Sequence, residues 1–86
     1  MYKIKYHRKA EKSKKLLKEA KLDKITKRLI EVLKEDPFMS PPSYEKLQWE
    51  LKGLYSRRIN AQHRLVYKVN KKTKTVYILS MWGHYE

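Results

Sequence analysis

Glu45, Arg64, His84 and Tyr85 supply a carboxylate, a guanidinium, an imidazole and a phenol. These are the groups a ribonuclease needs if it cuts RNA without a metal. RNA cleaves itself once four tasks are done. The 2′-OH must lose its proton, the phosphate must be aligned in line, charge on the pentacoordinate phosphorus must be stabilised, and the leaving 5′-oxygen must gain a proton. Glu45 could be the base and His84 the acid. Arg64, with Arg57 or Arg58, could clamp the phosphate with the planar fork that lysine lacks. Tyr85 could position the leaving side or stack on a base. General acid–base catalysis typically contributes about 10²–10⁴-fold, and preorganised positive charge commonly adds more.

Each residue also has a plainer reading. Glu45 follows Pro41-Pro42-Ser43-Tyr44 and, taken alone, reads as a surface carboxylate. Arg57 and Arg58 are consecutive on a strand and point to opposite faces, so at most one serves the functional face and the other is solvated. Arg64 opens a strand that carries Val66 and Lys68 on the same face. His63 beside it caps or orders a turn. His84-Tyr85 would be inert as an untethered end, because chain ends fray unless docked. Trp49, Trp82 and the tyrosines read as core or rim rather than stacking platforms. Metal chemistry is not expected, since His7, His63 and His84 have no paired ligand spacing. Gly53 and Gly83 form no phosphate-cradling loop, and no cofactor is implied.

The chain of 86 residues bounds the architecture to one domain, 1–86, with room for one sheet and one layer of helices. Its 22 Lys and Arg against 9 Asp and Glu leave a net charge of +13, which points to a polyanionic partner. Cysteine is absent, which fits a reducing compartment. The N-terminal stretch alternates apolar and basic residues and has no continuous apolar run. Neither a signal peptide nor a membrane span is expected, and the chain reads as cytoplasmic.

The elements that must position these groups follow from periodicity. Tyr2, Ile4 and Tyr6 alternate with lysines, which predicts a strand. Ala10, Ser13, Leu16, Leu17 and Ala20 form a helical stripe from about Arg8. Leu22, Ile25, Leu29, Val32 and Leu33 form a second, ended by Pro37. Pro37, Pro41 and Pro42 mark a rigid extended loop, and Tyr44 to Leu51 is ambiguous between a helical turn and irregular chain. Leu54–Ile59, Arg64–Val69 and Thr75–Trp82 read as strands, separated by hairpin turns at 60–63 and 70–74. The order β-α-α-β-β-β predicts an α+β domain. Its two N-terminal helices pack on one face of an antiparallel sheet, and the other face is left for function.

The block from Tyr44 onward carries a longer signal. It contains Gly53-Leu54-Tyr55-Ser56-Arg57-Arg58-Ile59, then His63-Arg64-Leu65-Val66-Tyr67, and closes on His84-Tyr85. It resembles the YoeB/Txe family of bacterial toxins, part of the RelE-like superfamily of toxin–antitoxin modules. The resemblance is close over the second half and architectural over the first. It implies a ribosome-dependent endoribonuclease that occupies the 70S A site and cuts the mRNA codon there, leaving a 2′,3′-cyclic phosphate or 3′-phosphate and a 5′-OH. The family's carboxylate matches Glu45, its phosphate-binding arginine Arg64, its terminal pair His84 and Tyr85, and its RNA-binding strand arginine Arg58. Gln48 stands where the family has a basic residue. The family further implies an acidic antitoxin of the YefM/Axe kind, contact with mRNA and rRNA, operator DNA reached only through the antitoxin, and a homodimer. Two other functions suit the same fold: a ParE-like inhibitor of DNA gyrase, and a noncatalytic basic RNA- or ribosome-binding module.

Overall fold

A computed structural model describes residues 1–83 of the chain. Strand β1 (Lys3–Tyr6) leads into helices α1 (Arg8–Glu19) and α2 (Asp23–Glu35). A proline-containing loop then reaches a two-residue strand, β2 (Glu45–Lys46), and a single 3₁₀ turn (Trp49–Leu51). Strands β3 (Tyr55–Arg58), β4 (Arg64–Asn70) and β5 (Thr75–Ser80) complete a five-stranded sheet in the order β1-β5-β4-β3-β2. This is the expected α+β architecture with two differences. The ambiguous stretch after Tyr44 contributes a fifth strand, too short to leave an alternating pattern. And β1 pairs with β5 in parallel, so the sheet is mostly rather than wholly antiparallel.

The helices cover one face. Ala10 and Leu17 of α1 and Leu29 and Leu33 of α2 join Leu65, Tyr67, Val76, Ile78 and Met81 in one core. Each of the buried Leu, Val, Ile and Met side chains contributes about 1.5–3 kcal/mol by leaving water. The buried stripe of α1 is narrower than the predicted one and keeps Ala10, Ser13 and Leu17, while that of α2 is shifted onto Thr26. Leu16 and Ile25 lie 43% and 40% exposed, while Ser13 and Thr26 are buried. Burial of these hydroxyls is possible because each donates to a carbonyl one turn back, Ser13 to Lys9 at 3.0 Å and Thr26 to Leu22 at 2.7 Å. His7 caps α1 by accepting from the Lys9 amide through Nδ1.

The two hairpin turns use the same device. Asn60 Oδ1 accepts from the amides of Gln62 and His63, and Asn70 Oδ1 from those of Lys72 and Thr73. An asparagine side chain here replaces a backbone turn contact. The register that results sets Arg58 opposite Arg64 and Ser56 opposite Val66. A bulge in β5 lets Val66 face Ser80 while Tyr67 faces Ile78.

Candidate active site

The sheet register determines which face each candidate residue occupies. Glu45 lies directly opposite Ser56, and Arg58 directly opposite Arg64. Side chains alternate along a strand, so Ser56 and Arg58 share a face, and Glu45 and Arg64 share it with them. Leu65 and Tyr67 point the other way, into the core. The site therefore forms on the side of the sheet away from the helices. Glu45, Ser56, Arg58 and Arg64 line a recess of about 250 Å³ together with Ser43 and Tyr44.

Within it Arg64 Nη1 lies 3.5 Å from Glu45 Oε1, with the Glu45 side chain 65% exposed. The separation is long for a hydrogen bond, and an exposed pair of this kind is worth little to stability. Its chemical character matters more: an accessible carboxylate stands beside one guanidinium, with a second guanidinium next to that. The Ser56 hydroxyl is buried at this recess and has no hydrogen-bond partner among the described residues. Larger hollows lie elsewhere. One of about 340 Å³, between the helices and β1, is rimmed by Lys14, Lys18, Lys27 and Lys34 with Asp23 and Glu31, and holds no arginine.

Arg57 departs from expectation. It is neither on the functional face nor solvated, but 1% exposed beneath the proline loop. Its Nε donates to the Tyr67 hydroxyl at 3.2 Å, its Nη2 to the carbonyls of Pro37 and Met39, and its Nη1 to that of Pro42. Each of its three nitrogens is committed and the group is buried, which keeps it from a phosphate. The alternation that sends Arg58 outward sends Arg57 inward, and the loop's carbonyls meet it there. Tyr67 also donates to the Pro37 carbonyl at 2.8 Å. Burial pushes its phenol up to about 12, against the opposing pull of the Arg57 charge. Phe38, Tyr44 and Tyr55 pack edge to face around this hub. The hub thus fixes the loop that ends at Tyr44, one residue before Glu45.

Gln48 is exposed and lines a neighbouring hollow with Lys46, Lys52 and Tyr55 rather than the recess. Trp49 is 91% exposed, neither core nor rim, and held at a positive φ of 59°. His84 and Tyr85 lie outside the described residues. The chain reaches them from Gly83, whose carbonyl accepts from the Arg64 amide at 2.9 Å. Among the described residues, no three His, Cys, Asp or Glu side chains gather as metal ligands, and no helix is long and apolar enough to cross a membrane.

Two helices on one face of a five-stranded sheet, with a carboxylate–arginine recess on the other, place the chain among the RelE-like α+β toxins. Residues 4–85 match the sequence profile of the YoeB-like toxin of bacterial type II toxin–antitoxin systems, and the chain belongs to that family. The match spans the first half of the chain as well as the motif-rich second half. A YoeB toxin from Synechocystis is 40% identical over 73 residues, spanning 85% of this chain and 76% of that protein. The YoeB–YefM complex from Staphylococcus aureus contains a chain of the same fold. It is 31% identical, covers 99% of each chain and superposes with a TM-score of 0.81. A YoeB/ParE toxin from Agrobacterium tumefaciens superposes with a TM-score of 0.87 at 26% identity, over 96% of this chain and 99% of that one.

Proposed function

We propose that this toxin is a ribosome-dependent endoribonuclease that cuts mRNA within the A-site codon by metal-independent acid–base chemistry. The observation that carries the reading is the Glu45–Arg64 pair at 3.5 Å, with Arg58 across the strand pair from Arg64. In the reaction, Glu45 takes the proton from the 2′-OH, and O2′ forms a bond to phosphorus. The scissile phosphate replaces Glu45 as the partner of Arg64. Arg64 and Arg58 hold its non-bridging oxygens as charge develops on them. His84 protonates the 5′-oxygen as the P–O5′ bond breaks, and Tyr85 positions the leaving side. The products are a 2′,3′-cyclic phosphate, which water can open to a 3′-phosphate, and a 5′-OH. So few catalytic groups require precise positioning of the RNA, which the ribosome supplies.

The Staphylococcus aureus relative is known in a YoeB–YefM complex and as a YoeB dimer. By that likeness the partner here is an acidic antitoxin of the YefM/Axe kind, and the toxin forms a homodimer. The antitoxin carries the contact with operator DNA. A net charge of +13 suits both the antitoxin and rRNA. Action on ribosomes places the protein in the cytoplasm.

Primer extension on a defined mRNA in a purified translation system tests the reading. Wild type is expected to cut inside the A-site codon only when ribosomes are present, and Glu45→Ala and His84→Ala to lose about 10²-fold or more. A folded, growth-inhibiting wild type that leaves the mRNA intact would move the assignment to gyrase inhibition or noncatalytic ribosome binding.

A further inference from the structure

We propose that His63 is a positioning residue that anchors residues 82 and 83, just past β5, beside Arg64 and so fixes the point from which the chain continues to His84 and Tyr85. This rests on the endoribonuclease reading above. Three contacts carry it. The His63 ring stacks on Trp82, with centroids 3.8 Å apart and planes inclined by 24°. Its Nδ1 accepts from the Gly83 amide at 2.9 Å. The Gly83 carbonyl in turn accepts from the Arg64 amide at 2.9 Å. Residues 82 and 83 are therefore held on consecutive residues of the β4 entry, and the second of these supplies the active-site guanidinium.

His63 is itself immobilised. Its amide donates to Asn60 Oδ1 at 2.7 Å, and its carbonyl accepts from the amides of Ile59 and Asn60. The hairpin turn thus fixes the ring, the ring fixes Gly83, and Gly83 sits next to Arg64. Gly83 adopts φ +80°, a left-handed conformation that turns the chain at this point, where a side chain would be strained though no atom stands within 4 Å of its Cβ position. An acceptor at Nδ1 requires the neutral ring with its proton on Nε2. The turn-ordering role read from the sequence is one half of what this histidine does. The other half is to join the turn to residues 82–83, some twenty positions along the chain.

Two substitutions separate the acceptor from the ring. His63→Phe keeps an aromatic face for Trp82 and removes the acceptor. His63→Asn removes the ring and keeps an oxygen near Nδ1. The readouts are single-turnover cleavage on programmed ribosomes, the ribosome concentration giving half-maximal rate, and hydrogen exchange of the Gly83 amide. His63→Phe is expected to lose about 10²-fold in rate with unchanged half-saturation, as misplacement of catalytic groups costs, and to speed Gly83 exchange. His63→Asn is expected to restore Gly83 protection and most of the rate. Full activity in His63→Phe, or equal losses in both variants that follow their loss of stability, would overturn the anchor. A wild type that cuts nothing overturns the catalytic consequence along with the function it rests on. Gly83 exchange in His63→Phe still decides the anchor in that case, since protection equal to wild type refutes it.

Discussion

Consecutive residues Arg57 and Arg58 have opposite fates, and the difference is a matter of strand parity. Arg58 faces the recess with Arg64, and Arg57 faces the buried underside of the proline loop. The alternation itself was legible in the sequence, as were Glu45, Arg64 and one of the two arginines as candidates, with Arg58 singled out only by the family resemblance. Which arginine faced inward was not, because that depends on carbonyls 15 to 20 residues away that no local pattern reports. Tyr67, beside Arg57, provides a pH test. Its phenol stays neutral up to about 12 in the fold, whereas an unfolded tyrosine ionises near 10.0. The stability it contributes is complete below pH 10 and is lost as pH rises towards 12, since only the unfolded chain releases its proton in that window. Urea unfolding across this range is expected to show a steeper alkaline decline for wild type than for Tyr67→Phe. Parallel declines would show that the phenol is not held neutral.

Elements, rather than single residues, explain how a carboxylate on a two-residue strand becomes fixed. Strand β2 makes little ladder of its own, and Glu45 depends on the loop before it. The loop in turn depends on Arg57, which collects the carbonyls of Pro37, Met39 and Pro42. Arg57→Lys is expected to destabilise the fold by about 2–4 kcal/mol, because one ammonium cannot serve acceptors spread around a planar fork and buried acceptors are left unpaired. Chemical denaturation measures this, and wild-type stability in the variant would reduce the hub to a passive contact. The helices, both hairpins and the four longer strands were readable from period and turn chemistry. Strand β2 was not, since two residues carry no period. Nor was the full buried stripe of α2, where Thr26 takes a core position through a hydrogen bond to its own helix, whereas Ser13 of α1 is buried as its stripe predicted.

For the molecule as a whole, the excess of 13 positive charges sets the terms of association. Binding to an RNA surface releases counterions, so affinity falls with salt in proportion to the number of phosphates neutralised. On the proposed function, ribosome binding by the Glu45→Ala protein, in which cleavage is expected to be lost, should weaken about 10³-fold or more between 50 and 200 mM salt, as for proteins making several phosphate contacts. A flat salt profile would remove rRNA docking from the account. The sheet order has a consequence of another kind. Strand β5 lies between β1 and β4, although among the described strands it is the last to be made. It brings Val76 and Ile78 to the core, with Met81 just beyond, and β1 has no other neighbour in the sheet. A nascent chain that has not yet exposed β5 offers its helices no complete floor and gives β1 nothing to pair with. Every residue that lines the recess is made before β5, yet the core beneath them closes only once β5 is available, so the recess is assembled by a strand that contributes no side chain to it.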